Sequence, residues 1–344
     1  MFTIVQCPDC QSRLERIEHE VRCTRCGRTF TANSGYLDLR PRAAFAEQTK
    51  YLDHALHADA RHESIAPALL GSKIRNDMLR TFLRPTATDH IVDLGCGSGR
   101  AMVWNAASGA AMTGIDISPF FAPEAIERSD LILGDLRRLP IRAGVFNKAW
   151  SLDVLEHLSP QAFRDVLSEA HRVLTDDGAI FIYTHVRKNG WSAGGVRLVN
   201  RLARLCERLG LLDLRQERLR KSDHLNPIAD HEELERVARE CGFAIERITY
   251  YTPIIGAFVE NILARMAERF LTRKAAGSAG TTDAASADAP VRAARAAAQA
   301  RVRRGGVTYG LLFAVSSVMK LDVILFGRVR SGPFFALLRK VPGR

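Results

Sequence analysis

At 344 residues and 47% hydrophobic content, the chain can bury a full core, and its length suggests about two domains plus extensions. The 49 Lys and Arg against 38 Asp and Glu leave a net charge of +11, which favours an anionic partner such as RNA, lipid headgroups or a phosphorylated substrate; arginines spread over many helices are equally a solvated basic surface. There is no signal-peptide pattern at the start and no RNA-binding signature with interleaved aromatics, so a cytoplasmic location is expected, with peripheral membrane contact as an extension of it.

The first element is a pair of C-x-x-C runs, Cys7-Pro8-Asp9-Cys10 and Cys23-Thr24-Arg25-Cys26, with twelve residues between them. Two such knuckles supply four thiolates to one tetrahedral metal ion, and a segment this short has too little apolar surface to fold without that link. Zn²⁺ is the expected ion; a rubredoxin-type iron site uses the same ligands, and two disulfides are disfavoured in a chain without a secretory signal. We place this ribbon at 1–41 and a helical lead-in at 42–80.

The run Ile91-Val92-Asp93-Leu94-Gly95-Cys96-Gly97-Ser98-Gly99 then puts a carboxylate at a strand end and three alternating glycines in the turn after it. Without Cβ atoms, such a turn lets a ligand lie on the backbone. Three more strands end in acids: 112–118 reaches Asp116, 131–133 runs into Gly134-Asp135, and 148–152 leads to Asp153-Val154-Leu155-Glu156-His157. Ser159 as N-cap and Pro160 at the first helical position open a helix to about Leu174, followed by an apolar strand from Ala179 to Thr184. Five strands alternating with helices predict an α/β fold with a parallel, doubly wound sheet. Each acid alone reads as a solvated turn carboxylate or a cap; four in order do not.

Over roughly residues 70–255 this pattern resembles class I S-adenosylmethionine-dependent methyltransferases, closest to the methyltransferase type 11 group. The resemblance implies a Rossmann-like seven-stranded sheet and S-adenosylmethionine as cofactor. It assigns cofactor contacts to Asp93, Gly95, Cys96, Gly97, Asp116, Ile117, Asp135, Leu136 and Asp153, with Asp93 at the cationic amino acid end, Asp116 on the ribose hydroxyls and Asp135 on the adenine amino group. The continuation Phe30 to Pro41 resembles the tail of Trm112-like zinc ribbons and the zinc finger of a ribosomal RNA guanine-N1 methyltransferase family.

Past residue 185, Arg187–Arg220 reads as helix, either a core-packing lid or a helix lying on a membrane. Asp230 and Glu233 form a capping-box-like start for a helix to Cys241, and Gly242 leads into a strand from Phe243 to Tyr251. The catalytic core is placed at 81–255, a helix at 256–274 and a disordered, Ala/Arg-rich linker at 275–304. Within 305–344, Lys320 and Asp322 interrupt the apolar run 307–326, so a buried or interfacial helix is expected rather than a transmembrane span. The run 333–340 is expected to supply the last, antiparallel strand.

An enzyme of this kind works mainly by aligning acceptor and methyl group and excluding water. The expected acceptor is a small molecule or a lipid- or glycan-linked group; ribosomal or transfer RNA is the alternative, and a non-catalytic ribbon scaffold the third reading. His157 and His224 are the candidate catalytic residues. His157 has three readings: a general base, a metal ligand with Glu156 and His185 (the cluster resembles the E-x-x-E-H of small-RNA 2′-O-methyltransferases, with Asp153 in place of the first Glu), or a residue that packs the loop.

Overall fold

The computed structural model describes residues 3–17, 20–33, 35–42, 65–215, 217–218, 224–270 and 306–343. The predicted linker 275–304 and most of the lead-in before residue 65 lie outside them.

Strands β1 (Leu14–Ile17), β2 (Glu20–Cys23) and β3 (Thr29–Phe30) form a small antiparallel sheet beneath the cysteine knuckles. A second sheet holds β4 (Ala32–Asn33), β5 (Tyr36–Asp38), β6 (His90–Leu94), β7 (Ala111–Asp116), β8 (Asp130–Leu133), β9 (Phe146–Leu152), β10 (Leu174–His185), β11 (Phe243–Tyr250) and β12 (Pro333–Lys340). Its order is β11-β12-β10-β9-β6-β7-β8-β5-β4. Among the described residues the sheet therefore has nine strands, not the seven expected. The hairpin β4–β5 accounts for the difference, because β5 pairs in parallel with β8 (Leu37 opposite Ile132, Asp38 opposite Leu133) and covers an edge that would otherwise expose its backbone groups. Part of the segment assigned to the ribbon thus belongs to the main sheet.

The central strands are buried on both faces. Along β10, Ile180 and Ile182 join one core cluster while Ala179, Phe181 and Tyr183 join the other, the alternation a pleated strand imposes. Helix α1 (Leu70–Leu83) packs Ile74, Met78, Leu79 and Phe82 on the second face. Short helices α2 (Arg100–Asn105) and α3 (Pro123–Ile126) follow β6 and β7. Helix α4 (Pro160–Val173) lays Phe163, Val166, Leu167 and Ala170 on the first face, and Ser159 caps it by accepting the Ala162 N–H at 3.3 Å. Helix α5 (Ala193–Arg208) follows β10. Helix α6 (His231–Glu240) starts at Asp230, whose carboxylate accepts the Glu233 N–H at 3.0 Å.

After β11, α7 (Ile254–Phe258) continues through a π turn (Val259–Leu263) and helical residues to 270. Then α8 (Val307–Met319) and α9 (Leu321–Phe326) lead into β12, which lies antiparallel between β10 and β11, with Ala336 opposite both Ile182 and Ile248. The ribbon is not a separate bead. Val5, Cys7, Leu14, Val21, Cys23 and Phe30 share one apolar core with Leu139, Ile141 and Phe146, and Gln6 N–H donates to the Pro140 carbonyl at 2.9 Å.

Candidate functional site

Strands β6, β7, β8, β9 and β10 run parallel, so their carboxyl ends, and the residues just beyond them, share one edge of the sheet. The glycine turn sits at its middle. Gly95, Gly97 and Gly99 all take left-handed φ values of 82°, 54° and 84°. They differ in surroundings: a Cβ on Gly95 would stand 2.4 Å from Val154 Cγ2, and one on Gly99 2.4 Å from Ala125 Cβ, whereas one on Gly97 would meet nothing within 4 Å. Gly97 thus borders open space at the turn. Cys96 is buried, with its thiol pushed well up by burial.

Asp93 is 3% exposed, and among the described residues its Oδ2 has no hydrogen-bond partner. Burial, with the charge of Asp116 adding to it, pushes its carboxyl up to about 7. Asp116 accepts the N–H of Gly97 at 2.8 Å and of Ser118 at 2.9 Å, and burial raises its pKa as well. Ile117 and Leu136 are half-buried beside the acids they follow. Asp135 meets Arg137 in a two-pronged pair with a shortest contact of 2.9 Å, so an adenine amino group would have to share that carboxylate.

Asp153 holds φ at 57°, the left-handed region, and its Oδ2 lies 3.1 Å from Arg75 Nε on α1. Burial works against the Arg75 charge, but Asp153, Tyr183 and Glu260 outweigh it and hold the guanidinium protonated. Arg75 carries no sequence signal; only the packing of α1 on the sheet brings it here.

Next to it, the short helical turn Leu155–His157 presents Glu156, which is 1% exposed. Thr184 donates to Glu156 Oε2 at 3.0 Å, His185 Nδ1 lies 3.7 Å from Oε1, and burial plus the charge of Asp153 push the carboxyl up to about 8. The loop carrying His224 is tied down by the Asn226 N–H donating to the Glu156 carbonyl at 2.9 Å. One ligand atom each from Glu156, His157 and His224 all fall within 4.8 Å of one another. The two candidate catalytic histidines are therefore brought together, on a carboxylate.

At the ribbon, the thiols of Cys7, Cys10, Cys23 and Cys26 likewise converge within 4.8 Å. Both knuckles close alike, with Gln11 N–H donating to the Cys7 carbonyl and Gly27 N–H to the Cys23 carbonyl; the residue after each is left-handed, φ 58° at Gln11 and 69° at Gly27. Four converging thiols suit one tetrahedral soft ion.

Residues 92–182 match the family model of the methyltransferase domain. An uncharacterised methyltransferase of Synechocystis is 30% identical over 104 residues, 29% of this chain and 49% of that protein. Sphingolipid C9-methyltransferase 2 of Gibberella zeae is 31% identical over 117 residues, covering 30% of this chain and 22% of that one. Malonyl-[acyl-carrier protein] O-methyltransferase of Salmonella typhimurium is 31% identical over 111 residues, 31% of this chain and 43% of that one. The chain spans about half or less of the length of these relatives. The stretch that matches the methyltransferase domain, residues 92–182, carries the glycine turn, Asp93, Asp116, Asp135, Asp153 and His157.

Proposed function

We propose that the protein transfers a methyl group from S-adenosylmethionine to a nucleophile on a small-molecule or lipid-linked acceptor. The observation that carries this is the pairing of open space at Gly97 with two carboxylates at the same strand ends, the buried Asp93 and the half-buried Asp116, whose pKa values burial raises. A cationic ligand offsets that effect, and S-adenosylmethionine carries both an ammonium and a sulfonium. When bound, it supplies an electrophilic methyl group. Asp93 would hold its cationic amino acid end, Arg75 its carboxylate, and Asp116 would accept the ribose hydroxyls. His157 and His224 would take the proton of the acceptor nucleophile, with Glu156 orienting the imidazoles. Cys7, Cys10, Cys23 and Cys26 would hold one zinc ion that fastens the ribbon.

Two measurements test this. Asp116→Ala should weaken S-adenosylmethionine binding by about 1.5 to 3 kcal/mol, the cost of losing charged acceptor bonds; unchanged affinity by calorimetry would remove Asp116 from the site. Incubation with methyl-labelled cofactor and fractionated cell extract should label the small-molecule or lipid fraction. Label in RNA alone would replace the proposed acceptor class.

A further inference from the structure

Three stretches of helix join the sheet at the edge that carries Asp93, Asp116 and Glu156. Helix α5 follows the end of β10, α7 follows the end of β11, and α8–α9 precede the start of β12, where Pro333 pairs with His185. They pack on one another: α5 and α8 each touch α7, α9 touches α7, and a buried hydroxyl pair, Ser192 Oγ to Thr252 Oγ1 at 2.9 Å, ties the first two at their bases.

Their outer faces are apolar. On α5 and at its C-cap, Leu198, Leu202, Leu205 and Leu209 recur at helical spacing and all point outward, 43 to 68% exposed. The buried side of this helix carries only small or partial contacts such as Ala193, Ala203 and Val199. Exposed Arg197, Arg201, Arg204 and Arg208 repeat the same spacing one residue earlier, about 100° round the helix. An exposed leucine stripe beside an arginine stripe is unsuited to water, and suited to a boundary where leucines enter acyl chains and arginines reach anionic headgroups. Val307, Leu311, Ile324 and Leu325 continue the apolar surface on α8–α9, with exposures of 92, 64, 70 and 63%.

The 20-residue segment Val307–Phe326 is long and apolar enough to cross a membrane, and 22% of its apolar window is buried. It is nevertheless fastened to the catalytic domain. Ser316 accepts the Leu70 N–H at 2.7 Å, Lys320 reaches Asp77 at 3.2 Å, and buried Asp322 accepts the N–H groups of Ile255 and Gly256 at 3.0 and 2.8 Å. Those ties suit a helix that lies on a bilayer.

We propose that α5, α7 and α8–α9 form one docking surface for an anionic phospholipid bilayer, with the cofactor edge of the sheet turned toward the membrane. The arginine stripe supplies the charge complementarity and the leucines the insertion. An acceptor could then pass from the bilayer to His157 and His224 without crossing bulk water. The surface itself stands on exposure and charge, whereas the delivery of an acceptor to His157 and His224 rests on the proposed function.

The test uses the full-length protein and phosphatidylcholine vesicles with or without phosphatidylglycerol. Flotation should recover the protein with the anionic vesicles only, and raised salt should weaken the binding. Trp191, 76% exposed at the start of α5, should shift its emission to the blue on binding. Leu202→Glu/Leu205→Glu and Arg201→Glu/Arg204→Glu should each weaken partitioning at least tenfold with unchanged thermal unfolding, because all four side chains are exposed. Binding that survives both variants would overturn the assignment. So would a protein that ignores vesicles but forms a dimer that the leucine variant dissociates, since the occupant would then be a second copy. Cofactor affinity, measured on the same variants, should not change.

Discussion

His157 and His224 meet edge to face, with ring centroids 4.6 Å apart and planes at 87°, on a buried glutamate that lies next to one of them in sequence. In single-turnover methyl transfer, His157→Ala and His224→Ala should each lose about a hundredfold or more in rate while S-adenosylmethionine affinity is kept, as expected when a proton acceptor is removed. Loss of rate on chelation, with recovery on adding Mg²⁺ or Mn²⁺, would assign the trio to a metal instead. Near-normal rates in both variants would leave catalysis to alignment.

Asp93 should make cofactor binding depend on pH. Its carboxyl is held up at about 7 in the free protein, and a cationic ligand favours the ionised form. Affinity should therefore rise about tenfold per pH unit below that value, level off above it, and be accompanied by proton release. Calorimetry in buffers of different ionisation enthalpy reads that proton directly. The same shift makes a stability statement. Because the folded carboxyl binds its proton more tightly than the ordinary 3.8, its contribution is full below that value and is lost as pH rises through about 7. Asp93→Asn should flatten both profiles.

Two glycines of one turn should fail differently. Gly97→Ala costs the left-handed strain of about 1–2 kcal/mol and puts a methyl group into open space where the ligand would lie, so cofactor affinity should fall more than stability. Gly95→Ala adds a clash with Val154 to the same strain and should cost about 2–5 kcal/mol of stability. Equal losses of stability in the two variants, with affinity kept in Gly97→Ala, would mean that the ligand does not lie on this turn.

Metal removal should be felt beyond the ribbon. The purified protein should carry about one zinc per chain, and Cys23→Ser should lose it. Since Val5, Leu14, Val21 and Phe30 are continuous with Leu139 and Phe146 of the catalytic domain, chelation should lower the unfolding temperature of the whole molecule. A domain that still binds cofactor and melts unchanged after chelation would show that the shared core contributes nothing.

Local signals determined a good deal here. Strand ends with an acid, a glycine turn that needs left-handed backbone, a Ser-Pro helix start and two C-x-x-C knuckles each act within a few residues, so their local geometry is legible from spacing alone. The glycine φ values, the Ser159 cap and the converging thiols reflect those local rules. Three things came only with the tertiary structure. The β4–β5 hairpin extends the sheet because β8 has an edge to cover, a fact about neighbours rather than about residues 32–38. Arg75 reaches Asp153 through the docking of α1, and nothing in the sequence around it differs from an ordinary surface arginine. His224 joins His157 and Glu156 because a loop far along the chain is tied back by Asn226, and long-range closure of that kind leaves no periodic trace for a sequence to show.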